Sequence, residues 1–327
     1  MSRYPRDPDQ NSVARYYVAN LLRLAVPGPL VRARGLPDPN RLSAAEREEV
    51  RSRTAYCNRV ETPFDLPPTA SRPAYREFKK KRKYCLDMLR YLRRFPPHLR
   101  ISYRFGDKTF VPDTPSFVKA RPIAGDNRNS ILFKLNRVRH FNFVRDRRTF
   151  ASKRPTVIWR GNARREHRRR FFERWFDHER CDLGVVSRET PDPHWEKPYA
   201  SIREQLEHRY VLSLEGNDVA SNLKWVMSSN SLCVMPAPKF ETWFLEGQLV
   251  GGRHYVELRD DYADLEEKLD HYDSHPEEAQ AILENAHAHV ARFTDERIEE
   301  HVALAVLEKF FVQSGQLGPS LSGRDES

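Results

Sequence analysis

Two turns hold the residues of this chain best suited to chemistry. The first, Arg160-Gly161-Asn162, follows the apolar run Thr156-Val157-Ile158-Trp159 and leads into a segment carrying Arg165 and Arg168. The second, Gly216-Asn217-Asp218, breaks the run Val211, Leu212, Leu214. Each reads as strand, tight turn, helix. A helix N-terminus offers unpaired backbone N–H groups and the positive end of a dipole, so either turn could receive an anion such as a diphosphate. Arginine there would add bidentate, permanently charged recognition, and Arg160, Arg165 and Arg168 are placed to do so. The same spacing also fits an ordinary β-α-β unit with no ligand, and the arginines fit a solvated helix face. Neither turn matches G-x-G-x-x-G or G-x-x-x-x-G-K-[ST], so NAD and ATP sites lack their usual sequence support.

The elements that must hold these turns follow from apolar spacing. After Gly216, Asn217 or Asp218 can cap a helix in which Val219, Leu223, Val226 and Met227 form one stripe, and Leu232–Met235 returns as a buried strand. That is a β-α-β unit of a parallel sheet, where ligands bind beyond the carboxyl ends of the strands. Around it we expect a helix over Arg165–Phe176 and strands at Cys181–Val186 and His254–Leu258. Further helices are expected at Tyr262–Tyr272, Pro276–Phe293 and Thr294–Phe311, the last capped by Thr294. Nearer the amino end, helices are expected from Ser12 to about Val26, over Ser43–Cys57 and over the strongly basic Pro73–Phe95. Pro27-Gly28-Pro29 should stop the first of them. A strand at Leu99–Phe105 then ends in the turn Gly106-Asp107. The chain divides into a lobe over residues 1–150 with a basic helical arm, a second lobe over 151–293, a closing helix over 294–313 and a disordered tail over 314–327.

With 56 Lys and Arg against 46 Asp and Glu, the formal charge of +10 favours an anionic partner: a nucleotide, an anionic membrane surface or nucleic acid. The helix after Ser12 carries apolar residues and arginines together, so it could rest on a membrane or pack on the body of the protein. Cys57, Cys85, Cys181 and Cys233 are scattered, which suits a reducing compartment. No early apolar run is long enough for a signal peptide or a span, and a cytoplasmic location is expected. The histidines make no metal-ligand pattern; His287 and His289 point to different faces of a helix.

A family resemblance gathers these features. Trp159-Arg160-Gly161-Asn162 with Arg168, the run from Leu214 to Lys224, Ser229–Leu232, Glu241-Thr242-Trp243-Phe244, His254-Tyr255-Val256 and Asp264–Glu267 resemble glycosyltransferase family ninety. This is the family of bacterial lipopolysaccharide-modifying enzymes, fungal capsule-associated proteins and animal Rumi O-glucosyltransferases. The likeness runs from about Arg100 to Phe311 and is nearest the bacterial branch.

The resemblance implies an α/β, GT-B-like fold of two Rossmann-like lobes whose parallel sheets face each other across a cleft. It also implies metal-independent transfer from a UDP-sugar with inversion, no cofactor, and a saccharide or glycolipid acceptor such as lipopolysaccharide core, at or near the inner membrane. By position, Arg160, Gly161, Asn162 and Arg168 would contact the UDP moiety. Asn217, Asp218, Val219, Ala220, Ser221 and Asn222 would lie against the diphosphate, with Lys224 adding charge. Glu241 and Glu246 could reach ribose hydroxyls. Where Rumi relatives carry arginine in the first turn of this helix, the chain has Asn222. Asp218 would repel a diphosphate unless its carboxylate capped its own helix. Inversion needs one base; Asp107 matches the family's catalytic aspartate by position, and Asp126 is the alternative. Two rivals stand beside this reading: a nucleic-acid-binding protein using Lys79–Lys83 and Arg164–Arg170, and an inactive sugar-nucleotide binder.

Overall fold

The computed structural model describes residues 11–73, 75–186 and 190–318. Residues 1–10 and the part of the expected tail from residue 319 lie outside them. In chain order come helices α1 (Val13–Ala25), α2 (Gly28–Ala33), α3 (Ala44–Cys57) and α4 (Tyr75–Leu92), then strands β1 (Tyr103–Arg104), β2 (Ser116–Val118), β3 (Ala120–Pro122) and β4 (Ser130–Leu132). Next are α5 (Arg137–His140), β5 (Arg154–Gly161), α6 (Glu166–Trp175), β6 (Cys181–Val185), α7 (Ile202–Gln205), β7 (His208–Leu212), α8 (Leu223–Met227) and β8 (Leu232–Pro236). The chain closes with β9 (Phe240–Thr242), β10 (Val256–Leu258), α9 (Leu265–Ser274), α10 (Pro276–Ala291) and α11 (Glu296–Gln313).

These elements group into two compact units. One comprises Arg139–Pro238 and Glu246–Arg292; the other comprises Ser12–Val138, Lys239–Leu245 and the chain from Phe293 on. Compared with a break after residue 150, this grouping places Arg139–Phe150 in the first unit and Lys239–Leu245 outside it, and it joins the closing helix α11 to the second unit.

The first unit is built on five parallel strands in the order β10-β8-β7-β5-β6. The chain steps from β5 outward to β6, then returns past β5 to β7 and continues the other way. The direction of winding therefore reverses between β5 and β7, and in such sheets the reversal opens a crevice at the carboxyl ends of the two strands. Apolar runs with no polar alternation give strands covered on both faces: Val157, Leu183, Tyr210, Leu212 and Val234 are fully buried. Helix α6 adds Phe171, Phe172 and Trp175 to that core, while Arg164, Arg165 and Arg170 stay exposed, as the spacing predicts.

The helix expected to begin at Asn217 or Asp218 begins instead at Leu223 and is only 5 residues long. Asn222 explains the delay. Its Nδ2 donates to Leu212 O at 2.9 Å, and its Oδ1 accepts from Ser213 Oγ at 3.1 Å, which ties the chain back to the end of β7. Side-chain bonds of this kind compete with helical ones. Val219, Leu223, Val226 and Met227 are nevertheless all buried, Val219 from a loop rather than a helix. At α11 the cap is Asp295, which accepts from Arg297 N and Ile298 N, and not the expected Thr294.

The second unit holds a three-stranded parallel sheet, β1-β2-β4, and an antiparallel pair, β3-β9, among α1–α4 and α11. The parallel arrangement is present, but not at Rossmann size: β1 has 2 residues and β2 and β4 have 3 each. No helix joins β1 to β2, and Gly106 (φ 122°), Pro112 and Pro115 fill the connection. Ser43 and Glu46 form the capping box that starts α3. The helix expected to stop at Pro27 does so, but Pro29 then sits in the first turn of α2, a position proline tolerates.

Buried charges in this unit are paired across long sequence distances. Glu299 accepts from Arg53, from Lys134 at 2.6 Å and from Trp243 Nε1 at 2.9 Å. Asp87, also buried, accepts from Tyr16 Oη at 2.8 Å and from Arg137 N at 3.0 Å. Desolvation raises the Asp87 carboxyl to about 6 despite these donors. Folded protein then holds a proton that unfolded chain releases near pH 4. The associated stability is complete below about pH 4 and is lost as pH rises through about 6, by roughly 3 kcal/mol at most. Urea unfolding at several pH values should show this fall for the native chain, and Asp87→Asn should flatten it. An unchanged slope in that variant would exclude Asp87 as its source.

Candidate functional site

In the five-stranded unit, the candidate site grows from the end of β5. Gly161 has no side chain because a Cβ there would lie 2.5 Å from the Trp159 indole. The indole can therefore fold along the strand end, and the Arg168 guanidinium rests over it at 5.3 Å. Arg168 then reaches across the sheet reversal. Its Nη1 donates to Asn162 O at 2.8 Å, its Nε to Glu215 O at 2.8 Å and its Nη2 to Leu214 O at 2.7 Å. One side chain thus joins the turn after β5 to the turn after β7. His167 Nε2 also meets Glu215 O at 2.8 Å, a second brace that sequence reasoning missed although it adjoins Arg168.

All three partners of Arg168 are backbone carbonyls. No carboxylate among the described residues forms an ion pair with it, and two of its five N–H bonds are left over. Burial, with Arg165 nearby, brings the guanidinium down to about 10, a desolvation that a bound anion would relieve. Helix α6 starts beside it at Glu166, and no side chain caps that start. Asn162 stands in the same turn, its Oδ1 accepting from Arg164 N at 2.8 Å. Asn217 and Ser221 are exposed on the loop after β7, while Asp218, Val219 and Ala220 are buried in it. Asp218 does not cap α8, which starts well after it.

Four of the expected donor contacts, Arg160, Lys224, Glu246 and Glu241, are placed elsewhere. Arg160 spends every N–H within the protein: two go to the Asp182 carboxylate at 2.8 and 2.9 Å, the rest to Trp159 O, Asp182 O and Pro198 O. Lys224 is fully buried and donates to Glu246, itself fully buried, so its charge is matched inside the unit. Glu241 belongs to the other unit, where Arg121 Nε donates to it at 2.7 Å and Tyr56 Oη at 2.6 Å; it is fully buried. None of the four presents a free charge to a nucleotide.

In the second unit, Asp107 follows β1 at the carboxyl edge of its parallel sheet. Lys119, which follows β2 at the same edge, donates to Asp107 Oδ1 at 2.6 Å, and Tyr84 Oη donates to it at 3.0 Å. The Lys119 side chain is 2% exposed and that of Asp107 31%, so the lysine is fixed and the carboxylate is reachable. Lys119 and Tyr84 were not legible as site residues, though a lysine directly after Phe117-Val118 is an odd guest in so buried a stretch. Asp126 lies on an exposed turn, bound by Arg128 N at 3.1 Å and Arg128 Nε at 2.9 Å. Those bonds hold its carboxyl below the usual range. Of the two aspartates, Asp107 has the built surroundings. Among the described residues no three His, Cys, Asp or Glu side chains gather as metal ligands do, and no helix is long and apolar enough to cross a membrane.

A parallel sheet whose winding reverses beside an arginine without a counter-ion defines an α/β unit suited to an anionic ligand. Comparison with known proteins makes this specific. The profile of glycosyl transferase family 90 matches residues 136–303. The O-glucosyltransferase LpsA of Dichelobacter nodosus is 45% identical over 271 residues, covering 83% of this chain and 85% of the relative. The chain belongs to glycosyl transferase family 90 and is a glycosyltransferase.

Proposed function

We propose that this enzyme moves a sugar from a UDP-sugar to a hydroxyl of a bacterial glycoconjugate, lipopolysaccharide core in particular, with inversion and without a metal or other cofactor. The observation that carries the reading is Arg168, a half-buried cation fixed at the sheet reversal with two N–H bonds unspent. The diphosphate lies against that guanidinium, the uncapped start of α6 and the exposed Asn217 and Ser221 of the loop after β7, away from the buried Asp218. Asp107 takes the proton of the acceptor hydroxyl. The oxygen attacks the anomeric carbon as the bond to UDP breaks, and the charge gathering on the leaving phosphate is met by Arg168. Lys119 and Tyr84 hold the Asp107 carboxylate in place. The two-lobed, GT-B-like arrangement and a cytoplasmic location next to the inner membrane belong to the same proposal.

The relative's printed activity makes UDP-glucose the first donor to try. Purified enzyme given UDP-glucose, other UDP-sugars and a deacylated lipopolysaccharide core should release UDP and glycosylate the core, and a chelator should leave the rate unchanged. UDP alone should raise the melting temperature, because it binds only the folded state. UDP binding without transfer would instead identify an inactive sugar-nucleotide binder. Failure to bind any UDP compound would overturn the reading.

A further inference from the structure

Helix α1 packs on the body of its unit through Tyr16, Tyr17 and Leu24, which cluster with Leu86, Val138 and Phe78. Polar bonds anchor the same side: Tyr16 Oη meets Asp87 Oδ1 at 2.8 Å and Lys83 O at 3.0 Å, and Asn20 Nδ2 donates to Tyr16 O at 2.8 Å. Arg93 fixes its far end by donating to Arg23 O at 2.5 Å. The opposite side is apolar. Ala14, Val18, Leu21 and Ala25 recur at i, i+4, i+7 and i+11, one stripe along the helix. Val18 and Leu21 are each 57% exposed, Leu22 is 65% exposed, and Leu30 on α2 is 60% exposed. Isolated exposed leucines are ordinary, but a continuous stripe on a helix anchored by hydrogen bonds marks an interaction surface.

The charges around the stripe select its occupant. From residue 11 to residue 37 the chain has Arg15, Arg23, Arg32 and Arg34 and not one Asp or Glu. The exposed Arg82 of α4 stands alongside, lying over the Tyr17 ring at 5.9 Å. An apolar stripe with a cationic border suits an interface with anionic headgroups above and acyl chains below. We infer that α1 and α2 form a membrane-docking face, which inserts Val18, Leu21, Leu22 and Leu30 into the boundary of an anionic bilayer. The inference does not depend on the donor or acceptor of the reaction.

Vesicle sedimentation of the full chain tests it. The protein should pellet with phosphatidylcholine vesicles containing about a third phosphatidylglycerol and stay in solution with phosphatidylcholine alone. Combining Leu21→Glu with Leu22→Glu should cut the bound fraction about tenfold or more while leaving the melting temperature unchanged, since both side chains already face water. Arg15→Glu with Arg34→Glu should weaken binding several-fold, and high salt should do the same. No pelleting with the anionic vesicles, or equal pelleting of the Leu21→Glu/Leu22→Glu variant, would overturn the inference. So would concentration-dependent self-association that this variant abolishes in the absence of vesicle binding, which would make the stripe a contact between copies of the chain.

Discussion

Replacing Arg168 with alanine is expected to weaken UDP binding about a hundredfold or more, the loss of two charge-assisted bonds to a diphosphate. The same change strips donors from Asn162 O, Leu214 O and Glu215 O, so the melting temperature should fall as well. Arg168→Lys separates the two effects. A lysine keeps the charge but cannot span three carbonyls and still face a ligand. It should recover part of the UDP affinity and little of the stability. Calorimetric titration with UDP, run beside thermal melts, reads both quantities. Should Arg168→Ala lower the melting temperature yet bind UDP normally, Arg168 would be a structural tie and the diphosphate would sit elsewhere.

Asp107→Asn should leave UDP affinity close to native and reduce transfer about a thousandfold, within the range a general base contributes. Asparagine keeps the shape and can still accept from Tyr84 and Lys119, but it cannot take a proton at neutral pH. Some stability should also be lost, because the buried Lys119 loses its counter-charge. Asp126→Asn is the companion variant. Its carboxylate is exposed and, among the described residues, engaged by Arg128 of its own turn, so transfer should be unaffected. Normal turnover in Asp107→Asn together with collapse in Asp126→Asn would exchange the roles.

Much of the five-stranded unit was legible because its signals are local. Thr156–Trp159, Gly161 and the arginine run announce strand, turn and helix within twenty or so residues, and the fold has them in that order. Arg168 and Asn162 were picked out together and do meet. What was hidden is the choice of partner for a charge. Arg160 looks as able to bind phosphate as Arg168 does, until Asp182 on the neighbouring strand claims it. Glu241 resembles a ligand residue until Arg121, 120 positions away in sequence, neutralises it. The late start of α8 was hidden for a different reason. Asn222 can cap or interrupt a helix, and only the nearness of Leu212 O decides which.

The same long-range pairing bears on how the protein is made. Arg53, Arg121 and Lys134 leave the ribosome early, yet their carboxylates arrive with Glu241 and Glu299, the latter close to the end of synthesis. Until then these cations lack the buried carboxylates that meet them in the dry interior, and sealing them in would be strongly unfavourable. The part translated first must therefore mature last, and a ribosome-stalled product ending before residue 239 should remain protease-sensitive through residues 12–138.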